Sequence, residues 1–257
     1  MVRALVYIVV FYMVSVLFLV LGSWLLLGPR SWAMAGLAAH GRTCVWLLDK
    51  IVGTGLEVRG RENLPDGPVL VASKHQSAWD TFALVPLLHD PAIIMKRELM
   101  WIPFYGWFSA KFGMIFVRRD AGASALRQMA RDAADRVAAG RHILIFPEGT
   151  RREPGAPPAY KPGALYLYER LGVPCCPVAL NSGLYWPRRS LQRYPGKIIV
   201  QFLEPIPAGL PRKEFARRLE EAIESASDAL VVETAQAADP PPVPADAAAR
   251  LGLHADA

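Results

Sequence analysis

An α/β fold with a mixed central sheet, preceded by an N-terminal two-helix membrane element, is predicted by three observations on the 257-residue chain. The first 53 residues contain a long apolar stretch without charge. From residue 54, short apolar runs cut by Pro and Gly alternate with helical stretches, the pattern of strands and helices layered around one core. From residue 234 the chain is dominated by Ala, Pro and Asp, including Asp239-Pro240-Pro241-Pro242, and it lacks material for a core. The expected organisation is a membrane-embedded segment over 1–53, one folded domain over 54–233 and a disordered tail over 234–257.

The N-terminal stretch from Leu5 to Leu27 has 23 residues without a formal charge, bracketed by Arg3 and Arg30. That is enough helix to cross a bilayer core of about 30 Å, and it exceeds the apolar part of a signal peptide, about 7 to 15 residues, although Ala33-Met34-Ala35 resembles a cleavage site. Trp32 to Ile51 mixes apolar residues with His40, Arg42, Asp49 and Lys50, which reads as an amphipathic helix. A hairpin entering one leaflet and a full crossing both fit, because Arg3, Arg30, Arg42 and Lys50 flank either arrangement.

Seven strands are expected: Leu56 to Arg59, Val69 to Ser73, Ala92 to Met95, Met114 to Val117, Ile143 to Phe146, Cys176 to Ala179 and Ile198 to Phe202. Helices are expected over Ala121 to Ala139, closed by Gly140, over Lys161 to Leu171, and from Pro211 to about Val231. The aromatic run Leu99 to Phe108 fits either core or a lipid interface.

The formal charge is +6, and 22 of the 29 basic residues are Arg, whose planar fork suits phosphate, so an anionic leaflet or an acidic substrate is favoured. Three cysteines, two of them adjacent at 175 and 176, supply neither a disulfide framework nor a zinc spacing. No metal is expected, and a reducing compartment fits. The chain has no G-x-S-x-G elbow and no H-E-x-x-H pair, and Gly53-Thr54-Gly55 lacks the third glycine of a dinucleotide fingerprint. Serine hydrolases and zinc or dinucleotide enzymes are thereby disfavoured.

Two segments carry candidate chemistry. His75-Gln76-Ser77-Ala78-Trp79-Asp80 lies where a buried strand gives way to a helix, the place where α/β proteins put their sites. Ser77 and Asp80 have the spacing of a helix-capping box, which fixes a carboxylate as a rigid partner for an imidazole. His75 is then a candidate general base, although a purely structural His fits the same spacing. Pro147-Glu148-Gly149-Thr150-Arg151 follows another strand; Gly149 permits a tight turn on which backbone N–H groups, the Thr150 hydroxyl and the Arg151 fork can meet an anion. Glu148 suits holding an arginine or a substrate hydroxyl. Lys74, Lys96, Arg97 and Arg118 stand at strand ends and are candidates for a basic rim.

Four blocks in this order resemble the lysophosphatidic acid acyltransferase family, bacterial 1-acylglycerol-3-phosphate O-acyltransferases and their relatives. They are His75 to Asp80 (H-x-x-x-x-D), Gly113 to Arg119, Phe146 to Arg151 (F-P-E-G-T-R) and Val173-Pro174-Cys175-Cys176-Pro177-Val178. The resemblance covers about Leu56 to Glu204 and implies a glycerol-3-phosphate acyltransferase-like domain. It implies His75 with Asp80 as the catalytic pair, and Arg119, Glu148, Gly149, Thr150 and Arg151 as the residues on the glycerol phosphate. It implies no cofactor, with acyl-CoA or acyl carrier protein as the thioester co-substrate, a lysophospholipid acceptor, membrane lipid around the anchor and no nucleic acid. The product would be phosphatidic acid, made at the bacterial inner membrane with the catalytic domain facing the cytoplasm; another lyso-lipid acceptor and a non-catalytic lipid-binding protein are the alternatives. Lys74 and Arg118 depart from the family, which often has Asn and Asp there.

Overall fold

The computed structural model describes residues 1–118 and 122–253. Helix α1 (Val2–Leu21) is long and apolar enough to cross a membrane, and α2 (Arg30–Val52) runs back antiparallel to it, with the Tyr7 hydroxyl donating to the Cys44 carbonyl at 3.2 Å. The stretch expected as one helix to Leu27 is broken. α1 stops at Gly22, a 3-10 turn follows over Ser23–Leu26, and Gly28-Pro29 opens α2. Gly53, at φ +89, closes α2 in the left-handed conformation that glycine adopts without steric cost.

The hairpin is tied to the rest of the molecule. Arg30 pairs bidentately with Asp90, both contacts at 2.6 Å, while Tyr7 and Phe11 pack on Trp186, and Phe11 on Phe82.

All seven expected strands form. They are β1 (Thr54–Arg59), β2 (Leu70–Ser73), β3 (Ala92–Lys96), β4 (Ile115–Val117), β5 (Ile143–Ile145), β6 (Cys175–Leu180) and β7 (Gly196–Phe202), in the sheet order β1-β7-β6-β2-β5-β3-β4. β6, β2, β5, β3 and β4 are mutually parallel, and β7 joins β6 antiparallel, which makes the sheet mixed.

Side chains alternate between the faces at the period of a strand. Leu70 and Ala72 join Ile143 and Ile145 beneath α5 (Gly122–Ala138), α6 (Pro162–Leu171) and α8 (Arg212–Ala235), whereas Val71 and Leu144 face Leu48 of α2 and Phe82. Phe82 belongs to α3 (Asp80–Ala83), and the remaining short helices are α4 (Tyr105–Lys111), α7 (Ser182–Tyr185) and α9 (Ala245–Arg250). Because both faces are covered, the parallel strands read as continuous apolar runs and were legible as such.

The tail departs from expectation. α8 continues to Ala235, and beyond it the chain returns to the domain, with Val243, Leu251 and Leu253 packed on the main core and Ala247 of α9 only 1% exposed. A few well-placed small and apolar residues suffice for docking onto a preformed surface, although they would not build a core alone.

Candidate active site

β2 ends at Ser73, and the next residues turn away at the carboxyl edge of the parallel strands. The expected contacts form, but ahead of the helix, because α3 starts at Asp80 with Trp79 as its N-cap: the Ser77 hydroxyl accepts from the Trp79 N–H at 2.9 Å, and Asp80 Oδ2 reaches back to the Ser77 N–H at 2.9 Å and the Gln76 N–H at 2.8 Å. The same oxygen meets His75 Nδ1 at 2.9 Å. Asp80 is fully buried while His75 is 12% exposed, so a rigid carboxylate orients a ring that remains open on its other side. With Nδ1 on Asp80, Nε2 is the nitrogen left to take a proton. The imidazole is also stacked on Phe146 at 4.0 Å between centroids.

Two residues of this constellation were not foreseen. Ser182, at the start of α7, donates to Asp80 Oδ1 at 2.5 Å, and Gln76 Oε1 accepts the Gly183 N–H at 3.0 Å. Both follow the end of β6, which pairs with β2, so the sheet register delivers them. The signal in the sequence was only that Asn181-Ser182 ends an apolar run.

Phe146 to Arg151 leaves β5, the neighbour of β2 on its other side. Gly149 sits at φ +64 and its N–H closes the turn onto the Phe146 carbonyl at 2.9 Å, so the glycine is required by conformation. Thr150 is exposed and Arg151 half-buried. The Arg152 N–H donates to the His75 carbonyl at 2.8 Å, which joins the two candidate segments directly. Arg188, another residue missed by the sequence reading, donates to the Arg151 carbonyl at 2.9 Å and fixes the backbone that carries the Arg151 fork.

Glu148 and Lys74 do not belong to the open side. The Lys74 ammonium is buried, 3.2 Å from Glu148 Oε1 and 2.8 and 2.7 Å from the two oxygens of Glu224 in α8. Tyr160 adds a 2.9 Å hydrogen bond to Glu224. Lys74 is therefore not a rim residue, and Glu148 braces the turn from within instead of facing a phosphate; its nearest arginine contact is Arg152 at 3.9 Å. Adjacent residues at a strand end point to opposite faces, so a partly exposed His75 places Lys74 inside. Burial raises the Glu148 carboxyl above its ordinary range and outweighs the lowering by Lys74.

The remaining rim candidates do share an edge. Lys96 ends β3 opposite Val117 of β4, and Arg97 and Arg118 follow those two strands, all three exposed. Lys96 also pairs with Glu98 at 3.2 Å, in a solvent-screened contact of small energetic weight. Arg119, expected on the phosphate, lies outside the described residues.

A buried carboxylate holds an imidazole beside a glycine turn that runs into Arg151, at the carboxyl edge of an α/β sheet. The comparisons agree on the family. The family model described as Acyltransferase matches residues 55–181, from the second residue of β1 to the end of β6. A 1-acyl-sn-glycerol-3-phosphate acyltransferase of Pseudomonas aeruginosa is 39% identical over 159 residues, covering 62% of each chain. A lyso-ornithine lipid O-acyltransferase of the same organism is 32% identical over 199 residues, 69% of this chain and 75% of that protein. The chain belongs to the acyltransferase family. The crystal structure of the 1-acyl-sn-glycerophosphate acyltransferase PlsC from Thermotoga maritima superposes with a TM-score of 0.75 over 89% of this chain and 96% of that one, at 24% identity, and so shares the fold. The alignments reach about three fifths of the length of the first relatives, 62% of the bacterial protein and 56% of the mouse alpha enzyme.

Proposed function

We propose that the protein transfers a fatty acyl group from a thioester, acyl-CoA or acyl carrier protein, to the free hydroxyl of 1-acylglycerol-3-phosphate, giving phosphatidic acid. One observation carries the reading: the Asp80-oriented His75 is hydrogen-bonded through its own carbonyl to Arg152, the residue after Arg151, so base and anion-binding turn adjoin.

In this reading His75 Nε2 removes the hydroxyl proton as the oxygen attacks the thioester carbonyl, and Asp80 stabilises the imidazolium that forms. The tetrahedral adduct then expels the thiolate, which takes up the proton from His75. Thiolate is a good leaving group, so a positioned base and two oriented substrates suffice without an acyl-enzyme. Arg151, Thr150 and the Gly149 turn hold the phosphate, with Arg119 and the exposed Lys96, Arg97 and Arg118 supplying positive charge around it. No cofactor is needed for this chemistry.

The apolar α1 supports a membrane seat, and cysteine usage supports a cytoplasmic catalytic domain at a bacterial inner membrane. Seating the domain on lipid places it where its acceptor already resides.

A second reading has its own support. The relative matched over the larger share of its length is named for a lyso-ornithine lipid, so an aminolipid acceptor is the competing substrate. Detergent-purified protein offered lysophosphatidic acid, lyso-ornithine lipid and larger lysophospholipids with each donor, scored by product mass, separates them. Turnover confined to lysophosphatidic acid supports the first; preference for the aminolipid replaces it.

A further inference from the structure

We propose that the C-terminal segment is a strap that positions the acceptor loop, with Arg250 as its positioning residue. The inference rests on the reading of the Gly149–Arg151 turn as the acceptor site. It arises from a segment beyond the matched family region, which ends at residue 181.

The turn opens a long excursion, residues 147–161, closed at its base by the Lys161 N–H on the Pro147 carbonyl at 2.8 Å. No helix or strand forms within it, so its conformation depends on what touches it. Its first half is pinned to the catalytic segment: the Arg152 N–H donates to His75 O, and Pro154 packs where a side chain on Gly183 would collide with both Pro154 and Gln76. Its far end is pinned to α8, since Tyr160 donates to Glu224.

The middle of the loop is held by the strap. Gly155 stands at φ +72, and a Cβ there would lie 2.3 Å from the Ala247 Cβ, so α9 lies directly against the loop backbone. Arg250 donates from Nε to the Gly155 carbonyl at 3.2 Å while its two terminal nitrogens grip Asp228 at 2.7 and 2.6 Å. Asp228 is one helical turn beyond Glu224 on α8, so one helix face holds the loop twice, at Tyr160 directly and at Gly155 through Arg250. Releasing Gly155 leaves the Arg151 backbone held by the Arg188 and Arg152 contacts without support from the middle of the loop, and a guanidinium whose backbone has gained freedom binds phosphate less tightly.

The test uses full-length protein in detergent micelles with acyl-CoA and lysophosphatidic acid. Arg250→Ala, and Ala247→Trp as a wedge that leaves the charges intact, should each raise the acceptor KM on the order of fivefold, the worth of one hydrogen bond, with donor KM and kcat within about twofold. Asp228→Ala should match Arg250→Ala, and the double variant should add nothing further. A merely structural strap would lower the active fraction and so kcat, with both KM values unmoved; that result, or equal rises in donor and acceptor KM, overturns the proposal. Amide exchange over residues 149–158 is read in the same variants without substrate. Faster exchange with no turnover of lysophosphatidic acid by the parent protein would sink the acceptor assignment and keep the strap, whereas unchanged exchange sinks the strap.

Discussion

Lys74 and Glu148 meet at 3.2 Å in the interior, so the segment carrying the candidate base and the turn running into Arg151 are tied by a buried ion pair. The same two segments are tied again through the backbone, by the Arg152 N–H on the His75 carbonyl. Two short contacts thus join the segments that leave the neighbouring parallel strands β2 and β5.

The catalytic pair gives the first prediction. His75→Ala removes the proton acceptor and should lower kcat by about 10²- to 10⁴-fold while leaving both KM values near the parental ones. Asp80→Asn should also lower kcat, because its one amide oxygen can still accept the Gln76 and Ser77 N–H groups and the His75 ring but no longer carries the negative charge that stabilises an imidazolium. Steady-state rates on lysophosphatidic acid check both, and a parental kcat in His75→Ala ends the general-base role.

Arg151→Ala removes a half-buried fork from an otherwise intact turn, since Arg188 holds position 151 through its backbone carbonyl. The acceptor KM should rise about tenfold or more, with the donor KM little changed, as expected when a charged hydrogen bond to a phosphate is lost. Equal effects on donor and acceptor would place the fork elsewhere.

The buried cluster predicts an asymmetry. Lys74→Met leaves Glu224 without its cation and Glu148 with only the Arg152 guanidinium at 3.9 Å, and should destabilise the fold by about 3–5 kcal/mol, the typical result of breaking a buried pair from one side. Glu148→Gln should be far milder, because Lys74 keeps both oxygens of Glu224. Thermal or urea unfolding of the two variants reads the difference, and similar losses would show that Glu148, not Glu224, is the partner that matters.

The same carboxyl gives a pH dependence with a defined sign. Its folded pKa is raised above the ordinary glutamate value of 4.5, chiefly by burial, so the folded state holds the proton more tightly than the unfolded chain does. The stability it contributes is complete below the unfolded value and is lost as pH rises through the folded one. Relative to Glu148→Gln, which is always neutral, the parent protein should therefore lose Tm as pH rises from 4.5 toward neutrality. A difference in Tm between the two that stays flat over that range would mean that the carboxyl titrates alike in both states.

How much of this was legible beforehand follows from the range of each interaction. The strands were readable because covered parallel strands are runs of apolar residues ending at Pro, Gly or charge, and the Ser77–Asp80 contact was readable because its residues are three apart, although the helix starts later than expected, at Asp80. Ser182 was not, since it reaches Asp80 across 102 residues of sequence, and Glu224 reaches Lys74 across 150. Periodicity says which face of α8 is apolar, but not which of its carboxylates will meet the lysine that follows β2. Lys74 was misread for a related reason: a charged residue at a strand end looks exposed until the partners that make burial tolerable are known. The tail was misread because composition measures the capacity to form a core, and docking one alanine against Gly155 needs none.

The aromatic run after β3 bears on how the enzyme sits on lipid. Trp101 is 77% exposed and Trp107 56%, with Met100, Ile102, Phe104 and Tyr105 exposed beside them. This segment touches the 3-10 turn at the tip of the α1–α2 hairpin, where Trp24 and Leu27 are also exposed. Apolar side chains clustered at one end of the molecule, with tryptophans among them, match a headgroup-level contact, and burying two indoles in lipid is worth several kcal/mol, about 1.5–3 for each large side chain. Replacing Trp101 and Trp107 together by Glu should reduce flotation with vesicles of phosphatidylcholine and phosphatidylglycerol at least tenfold, while turnover of a short-chain, micelle-free lysophosphatidic acid stays within about twofold. Undiminished flotation would leave α1 and α2 as sufficient anchors, and loss of turnover on the soluble acceptor would assign the run to the acyl groove instead of the bilayer.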